Sequence, residues 1–250
     1  MEAYWIEQQE RDVPSGDLWL SRNERLRSET IRIPKRLSDW RLGRWTAKLA
    51  IASVYSLDVE LTTLATIEIR ATESGAPEAL LRDELVPFTI SLSHSTGHAL
   101  SVIAPPGASV GCDIEKIEAR SSAFVEDYFT VDEQQAFLAS PDDTKPLLAN
   151  LIWSAKESAL KALQVGLRAD TRSVQVMIET QQPLRSTAQQ WSTLAVRGYD
   201  ARVLHGFWRQ ADSLIRTIVS TEPITRLVEI QPMCVPGQCS LNHSRECLAT

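Results

Sequence analysis

Asp113 and Glu115 stand two residues apart in Gly111-Cys112-Asp113-Ile114-Glu115, within a run that reads as a β-strand from Val110 to Glu115. Side chains alternate along a strand, so both carboxylates lie on one face with Cα atoms about 6.6 Å apart. Cys112 and Ile114 then point the other way, into the core. Two acids on one face repel unless a cation or a basic group joins them. Oxygen donors at this spacing suit Mg²⁺, which takes one or two carboxylates together with waters and substrate phosphates. An exposed strand face with Lys116 nearby is the plainer reading of the same residues. Glu157 and Lys161 lie four apart in a helical pattern and share a face. Alone, that is a Glu-to-Lys helix pair worth about 0.2–0.5 kcal/mol. Trp153, one turn earlier, either roofs a pocket or packs. His94 lies in Ser93-His94-Ser95-Thr96-Gly97-His98. Hydroxyls, a glycine and a histidine can bind phosphate through side chains and backbone N–H groups, and they also make ordinary turns.

Several widespread catalytic signatures do not occur in the sequence. There is no Gly-x-x-x-x-Gly-Lys-Ser/Thr phosphate loop, no dinucleotide Gly-x-Gly-x-x-Gly after a strand, no Gly-x-Ser-x-Gly elbow and no His-Glu-x-x-His. The chemistry must come from acids, a lysine, a histidine and a basic N-terminal segment. That segment, Arg22 to Lys48, holds nine basic residues, Arg27 and Arg44 among them, against three acids (Glu24, Glu29, Asp39). Set in a chain of net charge −6, it points to a specific anionic partner or to a solvated helix face. The acidic balance argues against general nucleic-acid binding.

The chain of 250 residues is 43% hydrophobic and 23% charged, the balance of a globular protein able to bury a core. No apolar run reaches the roughly 18 residues of a membrane span, and Met1 to Glu10 is too polar for a signal peptide. A cytoplasmic protein that avoids the membrane is expected. Cys234, Cys239 and Cys247, with His243 between them, fall in the last 17 residues. Their spacing matches no common zinc finger, so a loose tail with free thiols is the expectation.

Several elements must position these residues. A helix is predicted over 38–56, capped by Ser38 or Asp39, with extended runs at 64–70 and 87–93 and strands at 99–104 and 110–115. Pro105-Pro106-Gly107-Ala108 breaks the chain between the last two. A second helix is predicted over 145–163, with Pro146 in its first turn and Gly166 at its end. Leu148, Leu151, Ile152, Ala155, Ala159, Ala162 and Leu163 form its apolar stripe, so Glu157 and Lys161 face elsewhere. Strand-like runs follow at 173–179, 190–198, 201–208 and 213–219. Helix then strands, twice over, hints at two similar α+β halves, 1–108 and 109–225, with a tail at 226–250. No internal repeat strong enough to prove a duplication is apparent.

Ser-His-Ser, then Gly-Cys-Asp-Ile-Glu, then Trp153-Ser154-Ala155-Lys156-Glu157-Ser158-Ala159-Leu160-Lys161 form a distinctive order. From about Glu24 to Ser220 the chain resembles the 4′-phosphopantetheinyl transferases of the long, surfactin-synthetase-activating type. Their signature is Gly-x-Asp, then Trp/Phe-Ser-x-Lys-Glu-Ser/Ala-x-x-Lys. The second motif matches throughout. The first matches with Cys112 at a position that is usually aliphatic. The resemblance implies a pseudo-twofold pair of α+β halves with the active site between them. It implies transfer of the phosphopantetheine arm of coenzyme A to a serine of an apo acyl, peptidyl or aryl carrier protein, with release of 3′,5′-ADP, by a monomer. Carried over by residue, Asp113, Glu115 and Glu157 would hold Mg²⁺. Lys161, Ser93 and His94 would contact the coenzyme A phosphates, together with Arg27 and Arg44. Tyr128 to Glu133 resembles the segment before which the carrier docks, and Glu133 would assist there. The serine proton would go to Glu157, Glu133 or a metal-bound water. Many members carry Gly-Lys-Pro where this chain has Gly75-Ala76-Pro77, which implies either a weaker coenzyme A affinity or a substitute cation such as Arg70 or Arg82. The last 25 residues have no counterpart. Two readings from other classes remain: a Mg²⁺-dependent hydrolase of coenzyme A or nucleotides, and a non-catalytic carrier-binding module.

Overall fold

A computed structural model describes residues 1–165, 169–177 and 190–231. Two long helices organise it. α2 (Pro34–Val54) lies across a four-stranded sheet ordered β12-β1-β6-β5. Those strands are β1 (Glu2–Gln9), β5 (Thr89–Ser95), β6 (His98–Ala104) and β12 (Arg226–Glu229). α6 (Lys145–Ala162) lies on a five-stranded sheet ordered β7-β11-β10-β9-β8. Its strands are β7 (Val110–Lys116), β8 (Gln175–Met177), β9 (Ser192–Arg197), β10 (Val203–Ala211) and β11 (Leu214–Ser220). A small third sheet joins β2 (Ile67–Ala71), β3 (Pro77–Leu81) and β4 (Glu84–Leu85). Short helices α1 (Arg22–Glu29), α3 (Leu61–Leu64), α4 (Ser122–Tyr128) and α5 (Val131–Ala139) fill the connections. The fold is mixed α and β, as expected.

One apolar cluster lies under α2 and a second under α6. A third joins the two large sheets, with Trp5, Leu100 and Val102 on one side and Cys112, Ile114 and Ile218 on the other. β5 and β6 abut β7 there, so the Ser-His-Ser strand runs beside the strand carrying Asp113.

Several boundaries differ from expectation. α2 starts at Pro34, a residue pre-set for a first turn, so Ser38 and Asp39 lie inside the helix rather than capping it. Asp39 pairs with Lys35 one turn back. β1 falls where the polar N-terminus suggested no element, yet it buries Ala3, Trp5 and Ile6. The tail expected from 226 begins instead as a strand. β12 pairs in parallel with β1, and Ile230 behind it is buried. Gly166, the end of the 173–179 run, and Cys234, Cys239, His243 and Cys247 lie outside the described residues.

A buried polar cage is built twice. In the first, Glu24 Oε2 lies 2.6 Å from Lys48 Nζ, and the lysine donates to the carbonyls of Trp19 (2.9 Å) and Leu64 (3.0 Å). Glu24 also accepts from the N–H groups of Ser21 and Ile69, and Ser21 Oγ caps its N–H in return. In the second, Glu133 Oε2 lies 2.8 Å from Lys156 Nζ, and the lysine donates to the carbonyls of Thr171 and Val174. Glu133 accepts from the N–H groups of Thr130 and Val176, and Thr130 Oγ1 caps it. Each ammonium thus uses all three of its donors, which is what lets a lysine sit at zero exposure. The helix residues leading to each lysine are Trp45-Thr46-Ala47-Lys48 and Trp153-Ser154-Ala155-Lys156. This repeat is too short to stand out without the cages.

Breaking either cage leaves a carboxylate buried and unpaired, which costs about 3–5 kcal/mol. Lys156→Met should lower the melting temperature by many degrees, and Lys48→Met by a similar amount. A loss under about 1 kcal/mol in denaturant titration would contradict the cage as a structural element.

Candidate active site

Gly111 decides how close helix α6 can come to strand β7. A Cβ there would stand 1.9 Å from the Ser158 carbonyl oxygen and 2.6 Å from the Ala162 nitrogen. Only glycine allows this contact. Ser154 and Ser158 then lock the helix down, their hydroxyls 2.9 and 2.7 Å from buried Thr217 Oγ1 on β11. The motif's small residues are therefore packing contacts. They set Glu157 and Lys161 beside Asp113.

Lys161 Nζ donates to Asp113 Oδ1 (2.9 Å) and to the Cys112 carbonyl (2.9 Å). Ser93 Oγ, on β5, donates to the same Oδ1 at 2.7 Å. Asp113 Oδ2 is buried with no partner, and so is Glu157 Oε1. Glu115 differs: its Oε1 accepts from the Trp153 indole at 3.2 Å, and its Oε2 lies 3.7 Å from the Arg120 guanidinium. Cys112 faces inward as alternation requires, its thiol pushed up to about 12 by burial. It is no nucleophile at neutral pH.

The site is electrostatically tense. Burial raises Glu157 to about 7, Asp113 and Glu115 push the same way, and Lys161 pulls it down. Glu115 is raised by burial and by Asp113, against the indole hydrogen bond and Arg120. Burial works most strongly against the charge of Lys161, but Asp113, Cys112 and Glu157 together outweigh it and hold the ammonium above its ordinary value. Among the described residues, no three His, Cys, Asp or Glu side chains gather as a ready metal cluster. Two orphaned carboxylate oxygens beside one lysine nevertheless fit a cation of the Mg²⁺ kind, which takes one or two carboxylates and fills its other positions with water and phosphate.

Two cavities open here. One of about 430 Å³ runs from Lys161 past Val110, Ile90 and Phe88. The other, about 550 Å³, is lined by Lys35, Arg36, Arg44, Arg70 and His94, with Asp39 as its acid. Gly75, Pro77 and Leu92 border both. Lys35, Arg36, Arg44 and Arg70 around one hollow suit a phosphorylated ligand, while burial lowers His94 and favours its neutral form. Arg44 lies over the Trp40 ring at 4.3 Å; burial pulls it down to about 10, so it stays charged at neutral pH.

Asp113, Glu115, Glu157, Lys161 and Ser93 therefore come together, and His94 and Arg44 border the adjoining hollow. Arg27 does not line it: this residue is exposed on α1 and hydrogen-bonds Thr30. Glu133 is not at the site. Both its oxygens accept contacts within the Lys156 cage, and the side chain is buried there away from Asp113 and Glu157. Of the two substitutes for a lysine at Ala76, Arg70 lines the basic hollow and Arg82 does not. Sequence reasoning missed the roles of Trp153 and Arg120 toward Glu115. The indole's role was within reach of the motif spacing, but no pattern points to Arg120, which reaches Glu115 from the loop after β7.

Residues 109–210 match the family described as the 4′-phosphopantetheinyl transferase superfamily. The chain is also 28% identical, over 126 residues, to the 4′-phosphopantetheinyl transferase psf-1 of Bacillus pumilus. That stretch is 50% of this chain and 50% of the relative, so the chain spans about half the length of the curated relative it matches. Over the matched segment this chain is similar to those transferases.

Glu157 yields a stability test. It keeps its proton up to about pH 7 when folded, but releases it near the ordinary 4.5 when unfolded. Between those values the folded state holds the extra proton, so this group's contribution to stability is complete at low pH and is lost as pH rises through about 7. Glu157→Gln should melt at a higher temperature than the parent near pH 8, in chelator, and the two should converge below about pH 4. Parent and variant melting together near pH 8 would contradict a buried, unpaired Glu157.

Proposed function

We propose, from the kinship of its second half with the 4′-phosphopantetheinyl transferases, that this chain moves the 4′-phosphopantetheine arm of coenzyme A onto a serine of an apo acyl, peptidyl or aryl carrier protein, releasing 3′,5′-ADP. This is the holo-[acyl-carrier-protein] synthase reaction. The observation that carries the reading is the pairing of Lys161 with Asp113 beside Glu157, where Lys161 lines a cavity that shares Gly75, Pro77 and Leu92 with a second hollow lined by Lys35, Arg36, Arg44 and Arg70. The halves 1–108 and 109–225 would enclose it, a division that the twice-built cage supports. By the same kinship we read the protein as a cytoplasmic monomer.

The basic hollow holds the phosphates of coenzyme A, and Lys161 bridges them to Asp113. Asp113 and Glu157 would hold Mg²⁺, which when bound neutralises the charge that builds on the pyrophosphate. The carrier's serine oxygen attacks the β-phosphorus, the bond to the bridging oxygen breaks, and 3′,5′-ADP leaves with the electron pair. Glu157 is also the carboxylate that would take the serine proton. Positioning and charge stabilisation supply most of the catalysis in such transfers.

Purified protein, Mg²⁺, coenzyme A and a panel of apo carriers should yield a carrier heavier by one phosphopantetheine arm in mass spectrometry, and Asp113→Ala should abolish the gain. No gain with any carrier type would refute the transferase reading. Arg70→Ala should raise KM for coenzyme A about tenfold, the worth of one charge-assisted hydrogen bond, while Arg82→Ala leaves it unchanged. Equal effects of the two would remove Arg70 from the ligand pocket.

A further inference from the structure

The three acids at the site are held in different ways. Asp113 Oδ2 and Glu157 Oε1 are buried and empty-handed. Glu115 has a partner on each oxygen, and both partners are fixed by others. Trp153 donates to Oε1, and its ring is wedged edge-on against Phe124 and Tyr128, each at 5.1 Å. Arg120 reaches Oε2 at 3.7 Å while its Nε donates to Asn150 Oδ1 at 2.8 Å and its guanidinium lies 4.8 Å above the Phe124 ring. Asn150 is wholly buried, its amide committed to the carbonyls of Glu118 and Pro146 at 2.7 Å each. Swinging Glu115 toward the other two acids would break the indole hydrogen bond and part a half-buried ion pair.

We infer that Trp153 and Arg120 are positioning residues that hold Glu115 back from the divalent cation, so that this chain binds the ion through two carboxylates, Asp113 and Glu157, rather than three. The inference rests on the proposed cation at this site. A cation with two protein carboxylates keeps more of its coordination positions for phosphate oxygens and water. Its affinity for the protein alone is correspondingly modest, and substrate phosphates complete the site.

Mn²⁺ titrated into the substrate-free protein and followed by electron paramagnetic resonance reads this directly. Glu115→Gln should leave the Mn²⁺ Kd within about twofold, whereas Asp113→Asn and Glu157→Gln should each weaken it tenfold or more. Trp153→Phe, which keeps a ring and removes the N–H, and Arg120→Ala should both tighten binding by freeing Glu115 to join the ion. In a Glu115→Gln background, neither change should then have any effect. A Glu115→Gln loss as large as that of Asp113→Asn overturns the inference. So does tightening by Arg120→Ala that persists without Glu115, because only the lost guanidinium charge would then be acting. So does a parent protein that binds no Mn²⁺. Carriers that gain no mass while these metal results hold would sink the transferase reading and leave the ligand count standing.

Discussion

Everything at the site depends on how closely one helix can approach one strand. Helix α6 touches β7 at a point where no side-chain carbon fits, and the missing carbon of Gly111 permits the contact. Thr217 then anchors the helix through two serines. With α6 pressed down, Lys161 reaches both a backbone carbonyl and Asp113 on β7, and Glu157 is carried into the same water-poor corner. The charge pattern follows from that packing. Acids crowded this way resist ionising together, and the crowding itself leaves two oxygens without a protein partner.

The cages show a frame used twice with different consequences. Lys48 and Lys156 occupy the same kind of enclosure, each after a tryptophan, a hydroxyl residue and an alanine. One residue on from each lysine stands Leu49 in the first helix and Glu157 in the second. Five residues on stand Ser53 and Lys161. The supporting interactions are shared, and the reactive groups occur only in the second copy. Glu133 belongs to the frame, which is why its place in a family-like segment misleads when it is read as a catalytic role.

The sequence was most legible where a pattern is local. Alternation placed Asp113 and Glu115 on one face and buried Cys112, and helical spacing put Glu157 and Lys161 off the apolar stripe. It was least legible where long-range pairing overrides composition. The polar stretch Glu2–Gln9 becomes a strand because two others flank it. The capping glutamates Glu24 and Glu133 look like ordinary helix-start residues, since their lysines lie more than twenty positions away. Arg120 carries no periodic mark, and only its contacts with Asn150 and Phe124 reveal why it points at Glu115.

The pairing of β1 with β12 bears on the order in which the molecule can assemble. β1 has one neighbour in β6, about a hundred residues later, and the other at Arg226–Glu229. The amino terminus itself donates to the carbonyl of Pro223. The sheet under α2 thus cannot be completed until nearly all the described chain has been synthesised. Until then β1 presents an open edge able to pair with another nascent copy. Folding of the described residues in simple order from β1 onward is therefore closed off, and β12 finishes the sheet that β1 begins.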